Sequence, residues 1–320
     1  MSVSAPAIET VGLGRDYGST RALDALDLIV GSGTLVGILG PNGAGKTTAM
    51  LLLATLLKPS RGTALIFGHD ITRERALIRR RLGLVFQESS VDGLLTVQEN
   101  LRFAAGLMGL GGDIARQAVA EALERTGLIA RASQPARQLS SGWRRLTDIA
   151  RATVHRPDLL ILDEPTIGLD PEHRERMWGL LETARRERGT TILFSTHYLA
   201  EAESCDRVIL LAHGQVVAAN TPAVLMASVG GEVVEIEGPD AERAARALRS
   251  VATVHLTVRT ERGYRLGVSG PHDELVRTVG AIARITRFAI RPATLEDVYF
   301  ARTQEAEVLS PAATLVGKAV

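Results

Sequence analysis

The sequence predicts an α/β fold in which strands and helices alternate through residues 7–225, with a block of helices inserted midway and a smaller α+β domain after it. Three observations predict this. Short apolar runs of strand length recur between helical patterns, as in Leu35-Val36-Gly37-Ile38-Leu39 and Leu159-Leu160-Ile161-Leu162. Residues from about 96 to 150 read mainly as helix. After about Gly230 the composition changes, and strand and helix patterns follow in the order β-α-β-β-α-β of a ferredoxin-like domain.

At the start of the chain, Ile8-Glu9-Thr10-Val11 and Leu26-Asp27-Leu28-Ile29-Val30 alternate in short pieces and predict antiparallel strands. The buried strand 35–39 runs into Gly40-Pro41-Asn42-Gly43-Ala44-Gly45-Lys46-Thr47, and an apolar helix is predicted over 48–57. The string has a glycine, four residues, then Gly-Lys-Thr, which is the phosphate-loop pattern. Glycines let the backbone curl so that successive N–H groups face phosphate oxygens. Lys46 is one of three lysines in a chain that otherwise uses arginine. Its compact charge can reach the outer phosphates, and the Thr47 hydroxyl can ligate Mg²⁺. Strand, loop and helix stand in the order that sets a helix N-terminus against an anion, so the segment predicts nucleotide binding.

Further strands are predicted over 62–67 and over 82–86, the latter ending at Gln87. Thr96-Val97-Gln98-Glu99 opens the helical block with a capping-box pattern. A helix over 113–126 is followed by Gly127 as its stop. Strands follow over 159–162 and 191–194, and 208–211 and 215–218 flank a His213-Gly214 turn. Beyond it come a strand at 233–236, a helix at 241–248, strands at 254–258 and 264–268, a helix at 273–283 and a strand at 285–290. The expected organisation is a phosphate-loop ATPase core over 1–228 with its helical part at about 90–150, an accessory α+β domain over 229–303, and a mobile tail over 304–320.

Bulk composition excludes several classes. The net charge of +1 gives no global attraction to nucleic acid or anionic lipid. The single cysteine, Cys205, rules out an internal disulfide, suits a reducing compartment and reads as a small buried hydrophobe. The seven histidines show no metal-ligand spacing. No secretory signal opens the chain, and its longest apolar run, around 49–57, is too short to span a bilayer. Work at a membrane would need a partner to hold the chain there.

The strand 159–162 ends in Asp163-Glu164. In a phosphate-loop ATPase such a strand lies beside the loop's strand and offers its first carboxylate to Mg²⁺. The second carboxylate can accept a proton from the attacking water.

With these residues in place, the chain resembles the nucleotide-binding subunit of an ABC (ATP-binding cassette) transporter over roughly residues 7–225. Six motifs carry the resemblance, in the family's order: the phosphate loop Gly40 to Thr48; Gln87 as the Q-loop glutamine; Leu139-Ser140-Ser141-Gly142-Trp143-Arg144-Arg145 as the signature; Asp163-Glu164 as the Walker B pair; Gly168-Leu169-Asp170 as the D-loop; and His197, after Ser195-Thr196, as the switch histidine. Tyr17 stands where the family places an adenine-stacking aromatic. The resemblance implies ATP and Mg²⁺ as cofactors. Gly40, Pro41, Asn42, Gly43, Ala44, Gly45, Lys46, Thr47 and Thr48 would hold the phosphates, and Ser140 and Gly142 would cap the γ-phosphate of an opposing subunit. Thr47, Gln87 and Asp163 would surround the metal, while Glu164, His197 and Gln87 would serve catalysis.

The implied partners are a second copy, or a paralogous ATPase, and a polytopic membrane permease at the cytoplasmic face, with no nucleic acid. Leu94-Leu95-Thr96-Val97-Gln98-Glu99-Asn100-Leu101 and the closing Leu295-Glu296-Asp297-Val298-Tyr299 resemble drug- and antibiotic-exporter ATPases. Cargo of drug, antibiotic, lipid or polysaccharide class is the expectation. The signature departs from the usual string at Ser141, for the first glycine, and at Trp143, for the glutamine, which leaves the hydrolysis rate and the partner geometry open. A non-hydrolysing regulatory module and a soluble ABC ATPase not coupled to transport both stay open.

Overall fold

The computed structural model describes residues 5–309. The first hairpin pairs β1 (Ile8–Tyr17) with β2 (Thr20–Val30) antiparallel, and β3 (Leu35–Leu39) follows. Helix α1 (Lys46–Leu53) is shorter than the predicted 48–57 and begins two residues earlier. Gly45 opens it in a left-handed conformation, and Thr55, at φ 62°, ends the turn that follows it. Next come β4 (Arg61–Ile66), the short β5 (His69–Asp70), α2 (Arg75–Arg80) and β6 (Leu82–Val85).

The helical block holds α3 (Val97–Leu107), α4 (Gly112–Thr126) and α5 (Ser141–Thr153). The capping box at Thr96 and Glu99 forms in both directions, and Gly127 stops α4 at φ 70°. These three helices close on a core of Val97, Leu101, Ala105, Val119, Leu123 and Ala150. Strand β7 (Leu159–Asp163), helix α6 (Pro171–Arg188) and strand β8 (Thr191–Thr196) follow.

Strands β3, β8, β7 and β6 pair in parallel in that order. All residues of β3, β7 and β8 are buried. A parallel sheet covered on both faces needs such continuous apolar runs, and each buried Leu or Ile contributes about 1.5–3 kcal/mol. The second sheet of this region is antiparallel, in the order β2-β1-β4-β5. The α/β core, its antiparallel sheet and its helical block are those the sequence predicts.

Then come α7 (Leu199–Ala202), β9 (Arg207–Ala212), β10 (Gln215–Asn220) and α8 (Pro222–Ala227). The last domain is built from β11 (Glu232–Glu237), α9 (Ala241–Leu248), β12 (Thr253–Arg259), β13 (Gly263–Ser269), α10 (His272–Gly280), β14 (Arg287–Pro292) and α11 (Leu295–Leu309). Its four strands pair in the order β12-β13-β11-β14, antiparallel throughout. This is the order of the split β-α-β arrangement. Its core gathers Val234, Ile236, Ala244, Leu248, Leu266 and Leu275.

The chain divides into two compact units. One runs to His197 and includes Leu211–Val216; the other takes Tyr198–Leu210 and the chain from Val217 on. The division therefore departs from a boundary at 228/229. Helices α7 and α8 pack on α11, which groups their segments with the second unit. Helix α11 runs through Leu309, past the 303/304 boundary, and the rest of the predicted tail lies outside the described residues.

Candidate functional site

Strand β3 delivers the chain to Gly40, where a Cβ would lie 2.3 Å from the Leu211 carbonyl oxygen. Gly45 takes φ 103°, and a Cβ there would lie 2.6 Å from the Ala22 carbonyl oxygen. No larger residue fits either position without moving backbone. The turn at Gly214 braces the loop: its N–H donates to Ala44 O at 3.0 Å, and its carbonyl accepts the Asp24 N–H at 2.7 Å. No side chain caps the N-terminus of α1. Its first-turn N–H groups and positive dipole end therefore stand at the mouth of the loop, where an anion is favoured.

Lys46 is 5% exposed, and its Nζ donates to Gly40 O at 2.8 Å and to Pro41 O at 3.2 Å. The same Nζ lies 3.3 Å from Glu164 Oε1. A cavity of about 460 Å³ opens over the loop, and Ala22, Thr47, Gln87 and Glu164 share its lining with the loop residues.

The parallel register sets Asp163 of β7 opposite Ser195 of β8. The Ser195 hydroxyl donates to Asp163 Oδ1 and accepts the Glu164 N–H at 2.9 Å. Glu164 follows at φ 46°, a left-handed conformation that costs a non-glycine residue about 1–3 kcal/mol unless its surroundings enforce it. Ser195 holds its amide, and Arg145 Nη2 donates to its carbonyl at 3.3 Å. The turn aims the carboxylate at two side chains: Oε1 at the Lys46 ammonium, and Oε2 at His197 Nδ1, 3.3 Å away.

Arg145, on α5, also donates to Phe86 O at 2.5 Å and to Gln87 O at 2.8 Å, and it is buried. One guanidinium thus ties the signature helix, the strand end before Gln87 and the turn at Glu164 together. Burial pulls its pKa below the ordinary guanidinium value, against the pull of Asp148 and Asp163. It stays charged at any working pH.

Ser140 caps α5, its hydroxyl accepting the Trp143 N–H at 3.5 Å, so the helix starts at Ser141, inside the signature string. At Gly142 a Cβ would lie 2.5 Å from the His173 ring. Asp170 caps α6 and fixes that ring, accepting from His173 N at 3.0 Å and pairing with its Nδ1 at 2.7 Å. Trp143 meets His173 edge to face, with centroids 5.0 Å apart. The Arg131 guanidinium lies 3.7 Å above the indole, and that of Arg176 lies 5.1 Å from its centroid. The unusual Trp143 is thus packed against its own subunit and joins the signature to the start of α6.

The loop residues Pro41, Asn42, Gly43, Gly45, Lys46, Thr47 and Thr48 therefore share one cavity with Gln87 and Glu164, and His197 reaches it through Glu164. Gly40 and Ala44 shape the loop from behind. Asp163 is buried beneath it. Tyr17 ends β1 at 46% exposure, under the Arg15 guanidinium at 4.9 Å, and does not line the cavity. Ser140 and Gly142 do not line it either.

Arg145 and Ser195 stand inside the quoted motifs, yet sequence reasoning gives neither a role. Arg145 is one arginine among many, and nothing local marks it as buried. Ser195 matters through the β7–β8 register, which a linear reading does not contain.

The residues fit a nucleotide phosphate: glycines where a side chain would collide with backbone, an uncapped helix start and a buried ammonium. The hydroxyl and carboxylate oxygens of Thr47 and Asp163 are donors of the kind Mg²⁺ prefers.

Comparison with known proteins places these features in context. Residues 23–167 match the family model described as ABC transporter. The daunorubicin/doxorubicin resistance ATP-binding protein DrrA of Streptomyces peucetius is 40% identical over 306 residues, covering 93% of this chain and 92% of that protein. The Nod factor export ATP-binding protein I of Paraburkholderia xenovorans is 36% identical over 300 residues, covering 93% and 97%. Among solved structures, cbiO1 from Clostridium perfringens, part of the ABC transporter complex cbiONQ, gives a TM-score of 0.64 at 32% identity over 70% of this chain and 91% of that one. The ATP-binding cassette MJ0796, in a dimeric post-hydrolysis state with ADP and Pi, gives 0.62 at 29% identity over 67% and 98%.

Proposed function

Because this chain belongs to the ABC transporter family as an ATP-binding subunit, we propose that it hydrolyses ATP between two cassettes to drive export through a separate membrane permease. The observation that carries the residue assignments is the buried Lys46–Glu164 pair at 3.3 Å on the wall of the phosphate cavity. In this arrangement Lys46 neutralises Glu164. With a triphosphate in the loop, Lys46 turns its charge to the outer phosphates, and Glu164 is released to accept a proton from the attacking water. His197, already in contact with Glu164, supplies a donor toward the γ-phosphate. Gln87 senses the same phosphate from the cavity wall. Thr47 and Asp163 would hold Mg²⁺, which supplies charge neutralisation and orientation of the phosphates. Tyr17 offers its exposed ring to the adenine.

One chain encloses only part of the nucleotide. Ser140 and Gly142 stand away from the phosphate cavity of their own chain, and they serve the nucleotide of a second copy or a paralogous ATPase. The N-terminus of α5 points its dipole at that γ-phosphate. Binding closes the pair and hydrolysis opens it. No helix among the described residues is long and apolar enough to cross a membrane. The subunit sits at the cytoplasmic face on a polytopic permease, and the helical block transmits the motion. The cargo is of drug, antibiotic, lipid or polysaccharide class, a reading supported by relatives named for daunorubicin/doxorubicin resistance and Nod factor export.

Affinity purification of the chain from a membrane extract tests this reading. A polytopic membrane protein should co-purify, and ATP hydrolysis should rise in the complex. A chain that hydrolyses ATP yet captures no membrane protein would instead be a soluble ATPase.

A further inference from the structure

A second cleft of about 460 Å³ lies among α4, α5 and α6, all within the first unit and apart from the phosphate loop. Its size falls in the range of small-molecule sites. The walls are apolar: Ile149, Leu180, Leu181 and Ala184 line it. Three threonines add methyl groups rather than hydroxyls. Thr126 Oγ1 donates to Ala122 O, Thr153 Oγ1 to Ile149 O, and Thr183 Oγ1 to Gly179 O, at 2.7, 2.8 and 2.8 Å. Each hydroxyl is thereby committed to its own helix.

Gly179 is the informative residue. It sits inside α6, where glycine is among the least favourable choices for a helix. A Cβ there would meet nothing within 4 Å. Close packing therefore does not require this glycine, and its effect is to leave the cleft open.

The charged groups of the lining are Arg125, Arg176, Arg188 and Glu187, three guanidinium groups against one carboxylate. Arg125 Nη2 is covered by protein and has no hydrogen-bond partner among the described residues. Glu172 lies 3.8 Å from Arg176 Nη2, a loose contact that leaves capacity for another anion. A covered guanidinium donor without an acceptor favours re-pairing with a charged oxygen.

We propose that this cleft binds a small anionic amphiphile, its apolar body against Ile149, Leu180 and Leu181 and its carboxylate between Arg125 and Arg176. The site is coupled to the signature motif. Arg176 flanks Trp143, and α5, which carries the signature at its start, forms part of the wall. Ligand drawing Arg176 toward the cleft alters the stack on Trp143, and with it the edge that faces a second cassette.

Titration calorimetry of the full chain with decanoate, below its micellar concentration, tests the proposal, with decanol as the neutral control. The expected result is one saturable decanoate site, with decanol at least tenfold weaker. Arg125→Ala should weaken decanoate by tenfold or more, the loss of a charge-assisted contact. Gly179→Leu should abolish binding by filling the cleft, whereas Gly179→Ala should retain it. Both glycine variants favour the helix and should fold. ATP affinity should stay at the parental value in both, which separates failure of this site from failure of the phosphate loop. Absent saturable binding, equal binding of decanol, or full binding by Gly179→Leu would each overturn the proposal.

Discussion

Replacing Arg145 with methionine removes one buried cation and three hydrogen bonds while keeping most of the side-chain volume. The bonds run to Phe86, Gln87 and Glu164, so three carbonyls lose their donor, one of them buried and two part-buried. A charged donor contributes about 1.5–3 kcal/mol per bond, less the cost of burying the guanidinium. Three acceptors short of a donor, offset by relief of the buried guanidinium, cost about 3–5 kcal/mol in all. At roughly 2–4 °C per kcal/mol for a unit of this size, Tm should fall by roughly 6–20 °C.

The catalytic effect is separable from the loss of stability. The Arg145 hydrogen bonds run to Phe86, Gln87 and Glu164 rather than to Lys46 or the loop, so ATP affinity below the new Tm should stay within about threefold of the parent. The turn that aims Glu164 loses its carbonyl anchor, and a base misplaced by about 1 Å costs on the order of 10²-fold in rate. Arg145→Lys keeps the charge but not the fork of donors, and should fall between the two. Steady-state phosphate release and nucleotide titration at one temperature, below every Tm, read both effects. Parental kcat in folded Arg145→Met would refute the positioning role. A loss of ATP affinity matching the loss of kcat would also refute it.

Other outcomes follow from the same geometry. Lys46→Ala should weaken ATP binding by roughly 10–150-fold, the value of about 1.5–3 kcal/mol for a charged hydrogen bond, as read by equilibrium titration. Gly142→Ala puts a methyl against the His173 ring, which Asp170 and Trp143 hold in place. It should lower stability by about 1–3 kcal/mol in chemical denaturation and slow hydrolysis, while ATP affinity of the single chain stays parental. His155 tests pH dependence. Burial pushes its pKa below the ordinary value, outweighing the Leu82 carbonyl and Asp158. The unfolded chain therefore takes up this proton first. The contribution of His155 is complete above pH of about 6.5 and is lost as pH falls from there through the lower folded value. Tm measured from pH 7.5 to 5.5 should drop on the acid side, and His155→Leu should flatten that drop.

Local chemistry explains which parts the sequence revealed. The phosphate loop, the capping box at Thr96 and the stop at Gly127 depend on residues close in the chain, and the structure has them as read. The β-α-β-β-α-β element order is legible in the sequence, and the structure supplies the strand order. Helix α6 escaped because its face is thin, with only Met177 and Leu181 buried along it, although Asp170-Pro171 and Gly189 mark its ends. The helix after Lys46 was extended too far because its apolar run continues past Thr55, where the backbone turns left-handed. At the site, the loop residues, Gln87 and the Asp163-Glu164 pair were legible as motifs. The strained turn at Glu164, the Ser195 bridge to Asp163 and the Arg145 anchor were not, since each depends on strand register or on burial. Trp143 reads in sequence as a defect in the signature, and in three dimensions it is a packed ring between Arg131, Arg176 and His173.

In the proposed cycle Lys46 and Glu164 divide the work at one phosphate cavity: the ammonium holds ATP and the carboxylate activates water. Turnover and ATP affinity of Glu164→Gln, measured side by side with the parent, test it most directly. Turnover should fall at least 10²-fold, with ATP bound as tightly as by the parent or more tightly, and the ATP-bound chain should run as a dimer in light scattering. Parental turnover in Glu164→Gln would contradict the role of Glu164 as the base.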